Sequence, residues 1–173
     1  MPKNLLLTTP KPTRLKILVI GPLQCGKSSF VNKLNGKQKL QPAPTLGVDA
    51  VTIDTVVNQK EFKLTFFDTS GDSIYKEVRS EFYNDLAVLV VCFDLSSKQS
   101  YLEVQQFVDE FQQSGSFDAA VMLVGCKADK QKVGDAEFNV LTSRLKAKSF
   151  KVGPDSTNDA EILSTIVQLA KSK

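Results

Sequence analysis

Apolar positions follow two rhythms along the chain. Leu15 to Ile20, Ala87 to Phe93 and Ala119 to Val124 are short runs of mostly branched apolar residues, the pattern of strands buried on both faces. Ala50 to Val57 and Glu61 to Phe67 alternate instead, and Asn58-Gln59 between them reads as the turn of a hairpin. Helical spacing appears at Phe30, Val31 and Leu34, and again at Tyr101, Val104, Phe107, Val108 and Phe111. It returns over Ala136 to Leu145, and at Ile162, Leu163, Ile166, Val167 and Leu169 behind a cap at Asn158 or Asp159. Residues 72–84 read as one further helix and Ser149 to Val152 as a short last strand. Pro42 and Pro44 mark an irregular segment, and Pro2, Pro10 and Pro12 mark residues 1–14 as a flexible lead-in.

Strands alternating with helices predict an α/β domain over residues 15–173. Its sheet is mainly parallel and six-stranded, with one antiparallel edge hairpin and helices on both faces. Ligands of such folds bind beyond the carboxyl ends of the strands. That directs attention to the polar stretches that follow each apolar run.

Composition narrows the chemistry. Of 173 residues, 22 are basic and 19 acidic, a net charge of +3 with the lysines scattered, so no nucleic-acid surface is expected. Histidine is absent, which removes imidazole bases, triads and metal ligands together. The three cysteines, Cys25, Cys92 and Cys126, fit no zinc or disulfide spacing and point to a reducing, cytoplasmic setting. No run is long enough to span a membrane, position 2 is not glycine and the last residues hold no cysteine. The expectation is therefore a monomer with no lipid anchor of its own.

The stretch after the first strand is Gly21-Pro22-Leu23-Gln24-Cys25-Gly26-Lys27-Ser28, which matches G-x-x-x-x-G-K-S/T. Its two glycines let backbone N–H groups curl toward phosphates, the following helix adds its positive end, Lys27 supplies a charge and Ser28 a hydroxyl for Mg²⁺. Leu23, Gln24, Cys25 and Ser29 complete the loop as nucleotide contacts. Cys25, beside Lys27 and a helix N-terminus, is a candidate for a lowered thiol pKa or simply a small loop residue. Asp68-Thr69-Ser70-Gly71 supplies a second Mg²⁺ arm through Asp68 and an unhindered N–H at Gly71. Thr45 lies between them, where its hydroxyl can reach Mg²⁺ and its N–H a γ-phosphate. Gly125-Cys126-Lys127-Ala128-Asp129 follows another strand; Asp129 can accept from the guanine edge while the Lys127 stem lies over the ring. The cofactors implied are GTP or GDP with Mg²⁺.

These motifs, in this order, resemble the Ras superfamily of small GTPases over roughly residues 15–170. The FFDTSGD stretch is similar to the Rab version, and Tyr75 to Asp85 (YKEVRSEFYND) resembles the Rab-like RJL (Rbj) branch, without room for its J domain. The resemblance implies a molecular switch with effectors at residues 42–49 and 67–80, an exchange factor and an activator; the RJL branch alone suggests cilia or basal bodies. Lys27, Thr45, Gly71 and Asp72 form the implied catalytic set. Phe67 and Tyr75 are equally readable as effector contacts or core aromatics.

Several positions depart from the family pattern. Asp72 stands where the family has its catalytic glutamine; its anionic side chain would face the phosphates and cannot donate when ionised. Leu23 replaces a glycine and points toward the space of that glutamine and of an activator's arginine. Cys126 replaces the asparagine of N-K-x-D, costing about 1–2 kcal/mol of base affinity. The family's S-A-K would align near Gly153-Pro154-Asp155 and is not recognisable, and Lys39 or Leu40 lies where an aromatic usually flanks the base. Slow hydrolysis follows, as a switch or as a GTP-locked structural subunit. A small-metabolite kinase fits less well, because only the scattered Arg14, Arg79 and Arg144 are available to clamp a donor.

Overall fold

The computed structural model describes residues 10–37, 42–114 and 118–172. Lys39 and Leu40 lie outside the described residues. Among the described residues, six strands form one sheet in the order β2-β3-β1-β4-β5-β6. They are β1 (Thr13–Ile20), β2 (Val48–Val57), β3 (Lys60–Thr69), β4 (Val88–Asp94), β5 (Ala120–Cys126) and β6 (Lys148–Val152). β2 and β3 pair antiparallel and the other neighbours pair parallel. Among the described residues the α-helices are α1 (Lys27–Leu34), α2 (Lys76–Ser80), α3 (Lys98–Gln113), α4 (Asp135–Arg144) and α5 (Asp159–Lys171).

The period-two alternation of the strands sorts side chains into two layers. Ile17, Val19, Val90 and Cys92 face α1 and α5 and pack with Phe30, Val31, Ile162 and Ile166. Leu18, Ile20, Leu89 and Val91 face the opposite way and pack with Val104, Phe107, Phe138 and Leu141 of α3 and α4. Every residue of β4 is buried, as its unbroken apolar run requires. Truncating a core residue such as Leu89 to alanine costs about 2–5 kcal/mol.

β1 lies between β3 and β4, where the strand order reverses. A crevice opens at such a reversal, beyond the carboxyl end of β1. The loop that begins at Gly21 runs into it.

Two expectations are corrected. β1 starts at Thr13, paired with Phe62, so Thr13 and Arg14 belong to the sheet and not to the lead-in. The single helix expected over residues 72–84 is a 3₁₀ turn (Ser73–Tyr75) followed by the short α2. After Ser80 the chain closes two tight turns, Phe82 N–H to Arg79 O and Tyr83 N–H to Ser80 O, and Asp85 turns left-handed at φ 56°. Tyr83 and Leu86 then enter the core from irregular backbone, so no helical stripe joins them to α2.

Candidate functional site

The phosphate loop is held against the ends of two neighbouring strands. Gly21 takes φ 148° and Gly26 takes φ 109°. A Cβ at Gly21 would lie 2.1 Å from the Cys92 carbonyl oxygen of β4, and one at Gly26 would lie 2.9 Å from Cys126 Cβ of β5. Only glycine permits this approach at either point. The helix that follows is prepared for an anion. Its N-cap, Gly26, offers no capping side chain and its first turn contains no acid, so its leading N–H groups and dipole are left to a ligand. Lys27 is buried, with Nζ donating to Gly21 O at 2.8 Å and Pro22 O at 2.7 Å.

Three oxygen donors converge beside this helix. Ser28 Oγ donates to Asp68 Oδ2 at 2.5 Å, Thr45 Oγ1 donates to the same oxygen at 3.3 Å, and the two hydroxyls are 3.0 Å apart. They come from α1, the irregular segment before β2, and the end of β3. Asp68 is buried, and its Oδ1 has no hydrogen-bond partner. Burial raises the Asp68 pKa, against the hydrogen bond from Ser28 and the charge of Lys27. An orphaned buried carboxylate oxygen with two hydroxyls is an all-oxygen donor set suited to a hard divalent cation such as Mg²⁺.

Gly71 closes the other side. A Cβ there would lie 2.4 Å from Leu23 N and 2.5 Å from Pro22 C, so its backbone rests directly on the phosphate loop. Ser70 N–H donates to Gly47 O at 2.8 Å, which joins the Thr45 segment to the Gly71 segment. Together these residues line a cleft of about 830 Å³, with the exposed side chains of Leu23, Leu46 and Ile74 at its rim.

A second pocket of about 410 Å³ adjoins it and shares Gly26, Ser29 and Lys127 with it. Cys126 ends β5 and forms part of the wall. Lys127 adopts a left-handed backbone at φ 56°. Its Nζ bridges Gln24 O at 3.0 Å and Asp94 Oδ2 at 2.6 Å, tying the β5 loop to the phosphate loop and the end of β4. Asp129 stands exposed in the following 3₁₀ turn, at the pocket. The dimensions and donors suit a phosphorylated ligand whose flat ring occupies the second pocket.

A family model described as the Ras family matches residues 16–169. The chain belongs to the Ras family. It is 28% identical over 138 residues to the Ras-related protein RabQ of Dictyostelium discoideum, a match covering 79% of this chain and 65% of RabQ. It is 27% identical over 161 residues to RabC of the same organism, covering 88% and 82% of the two chains. A third relative, DnaJ homolog subfamily C member 27-B of Xenopus laevis, is 28% identical over 104 residues, covering 60% of this chain and 38% of that protein. The chain thus spans less than two thirds of the length of RabQ and of the Xenopus protein.

In this Ras-family chain the predicted residues converge. Leu23, Gln24, Cys25, Gly26, Lys27, Ser28, Ser29, Thr45, Gly71, Asp72 and Lys127 line the cleft, Cys126 and Asp129 line the adjoining pocket, and Asp68 lies beneath Ser28. Gly21 sits behind the loop, and its carbonyl holds Lys27.

Two readings are corrected. The Asp72 carboxylate is not free to face a phosphate cluster with both oxygens; Oδ1 accepts from Ile74 N–H at 3.1 Å and caps the 3₁₀ turn. An Asx cap of this kind satisfies an otherwise orphaned backbone donor, which a freely pointing carboxylate would not. Cys25 is not an activated thiol: it is 1% exposed, and burial pushes its pKa up to about 12 despite nearby Lys27.

Sequence reasoning missed Phe30, Lys33, Lys130 and Val152 of the pocket wall; Gly153 and Pro154, where the family's last motif was expected to align, line it as well. A Cβ at Gly153 would come within 3.3 Å of Asp129 N and 3.4 Å of its Oδ1, so the β6–α5 loop is seated against the base-pocket acid without the family's usual motif. Its position directly after β6 was the available signal. Phe67 and Tyr75 are both half-buried; Phe67 stacks 5.1 Å from Phe82, and Tyr75 lines the cleft.

Proposed function

We propose that this chain is a guanine-nucleotide switch that binds GTP and GDP with Mg²⁺ and hydrolyses GTP slowly. The observation that carries the reading is the convergence of Ser28, Thr45 and Asp68, with Asp68 Oδ1 unsatisfied, beside an uncapped helix start. Ser28, Thr45 and Asp68 would hold Mg²⁺, which when bound neutralises charge across the β and γ phosphates. Lys27 would exchange its bonds to the Gly21 and Pro22 carbonyls for phosphate oxygens. Gly71 and Thr45 offer backbone N–H groups for a γ-phosphate, and Asp129 with the Lys127 stem would select and cover the guanine. Residues 42–49 and 67–80 would carry the nucleotide state to effectors. The stretch from Tyr75 to Asp85 and the match to the Xenopus DnaJ homologue support a place near the RJL branch.

Slow hydrolysis rests on two side chains. Asp72 is engaged as a cap and as an anion cannot donate to an attacking water. Leu23 is 57% exposed at the cleft rim, in the space an incoming arginine would need. The same pair supports a second reading, a GTP-locked interaction subunit.

Denaturing the purified protein and identifying the released nucleotide, then following single-turnover hydrolysis, tests both. GDP with measurable turnover supports the switch, and persistent GTP supports the locked subunit. Asp72→Gln is expected to speed hydrolysis by about tenfold or more, the scale on which water-orienting and charge-stabilising groups act. Failure of the protein to bind any guanine nucleotide would overturn the proposal.

A further inference from the structure

Arg79 lies on α2, next to solvent-facing residues, yet is only 2% exposed. A buried guanidinium is costly unless its donors are met. Here they are met by two different parts of the fold. Nε donates to Glu110 Oε1 at 3.1 Å and Nη2 to Glu110 Oε2 at 3.0 Å, a bidentate fork onto α3. Nη1 donates to Ser70 O and to Asp72 O, each at 2.7 Å. The Phe107 ring lies 5.2 Å from the guanidinium carbon, and Tyr83 O–H donates to Glu110 Oε1 at 2.5 Å. Glu110 is itself nearly buried, with 9% of its side chain exposed.

The two carbonyls held by Nη1 flank Gly71. The Ser70 carbonyl and the Gly71 N–H belong to one peptide unit. In a trans peptide the C=O and N–H point in opposite directions. Pinning Ser70 O on Arg79 therefore turns the Gly71 N–H away from α3, toward the cleft that Gly71 lines. From the other side, Gly71 is pressed on the phosphate loop at Leu23.

We infer that Arg79 is a positioning residue for the Gly71 peptide, fixed by Glu110 of α3, and that this clamp sets how strongly the site prefers a nucleoside triphosphate to a diphosphate. The inference rests on the nucleotide-binding reading and deepens it. On that reading the Gly71 N–H is offered to a γ-phosphate, which a diphosphate lacks, so the clamp acts on the triphosphate and leaves the diphosphate largely unaffected. Lysine cannot replace arginine here, because one ammonium cannot serve a carboxylate fork and two carbonyls in fixed directions.

The test measures equilibrium affinity for GDP and for a non-hydrolysable GTP analogue, in the wild-type chain and in Arg79→Lys and Glu110→Gln, with folding checked by thermal melts. The preference for the triphosphate analogue is expected to fall about tenfold in Arg79→Lys and about threefold in Glu110→Gln, the range for the net worth of a single hydrogen bond. GDP affinity should stay within about twofold, because a general loss of structure would weaken both nucleotides together. If Arg79→Lys does not fold, the milder Glu110→Gln carries the measurement. An unchanged preference in a folded variant, or an equal loss for both nucleotides, would overturn the inference. A wild-type chain that binds neither nucleotide would instead overturn the nucleotide reading beneath it.

Discussion

The thiol of Cys126 is buried in the wall of the second pocket, the proposed guanine site, where the family pattern places an amide. A thiol is a weak donor and weak acceptor, whereas an amide offers two donors and an acceptor. The adjoining pocket gives the larger side chain room to turn inward, so Cys126→Asn is expected to slow GDP release by about tenfold, the worth of one buried hydrogen bond. A release rate unchanged or faster in stopped-flow measurements would show that the thiol costs the site nothing. Asp94 answers to pH in a defined direction. Burial alone would raise its pKa, but the hydrogen bonds from Lys127 and Ser96 outweigh it and hold the carboxyl below its ordinary value. A carboxylate with a depressed folded pKa stabilises the fold above its unfolded pKa, and that contribution is lost as pH falls through the folded value. The melting-temperature deficit of Asp94→Asn should therefore be full at pH 7, shrink below about pH 4 and vanish in stronger acid. A deficit independent of pH would assign the effect to packing. These side chains were legible to different degrees. Lys27, Ser28, Asp68 and Gly71 stand in local motifs, whereas Asp94 joins the site only through Lys127, across two strand ends.

At the scale of elements, the hairpin between β2 and β3 shows a strain the sequence pattern did not reveal. Val57 pairs with Lys60, leaving Asn58 and Gln59 as a two-residue turn with φ 51° and 62°. Both central residues left-handed is the mark of a type I′ turn, which favours Asn-Gly. Asn58 suits its position, but Gln59 pays the steric penalty of an L side chain there. Gln59→Gly should stabilise the protein by about 0.5–1 kcal/mol, after the extra entropy glycine brings to the unfolded chain. A denaturation midpoint that falls would contradict this. The turn itself was readable because two alternating runs bracket it, and β4 was readable to within a residue because burial on both faces keeps it apolar up to its terminal Asp94. The segment from 72 to 84 was not. Its buried residues Arg79 and Tyr83 are satisfied by Glu110, which is 31 and 27 residues away in the chain. No local rhythm encodes such a pairing, and a lone arginine among Lys76, Glu77 and Glu81 reads as surface. The β6–α5 loop was located by alignment with the family pattern, but its residues did not reveal their role: Gly153 acquires its place in the pocket wall from the approach of Asp129, not from its neighbours.

For the molecule as a whole, the two segments that line the cleft opposite the phosphate loop are anchored very differently. Residues 42–47 have no regular structure, and Thr45 meets the rest of the site through its hydroxyl, at Ser28 and Asp68. The Gly71 segment is bound to the phosphate loop on one side and to α3 through Arg79 and Glu110 on the other. The hydrogen bond from Ser70 N–H to Gly47 O links them. A ligand can shift an equilibrium only by what it contributes differently to the two states. A terminal phosphate with Mg²⁺ adds new partners to the weakly held segment, while the clamped one already has most of its own. Exchange of GDP for a non-hydrolysable GTP analogue should therefore slow amide hydrogen exchange most over residues 42–49. A smaller change should follow over 70–80, and almost none in β1, β4 and β5, whose amides open only with the whole sheet. In Arg79→Lys the 70–80 segment should exchange faster with GDP bound and recover protection with the analogue, so that the two segments respond alike. If the wild-type chain already shows equal responses in both segments, Arg79 does not hold the second segment in the diphosphate state. The switch would then move as one piece through the Ser70–Gly47 bond.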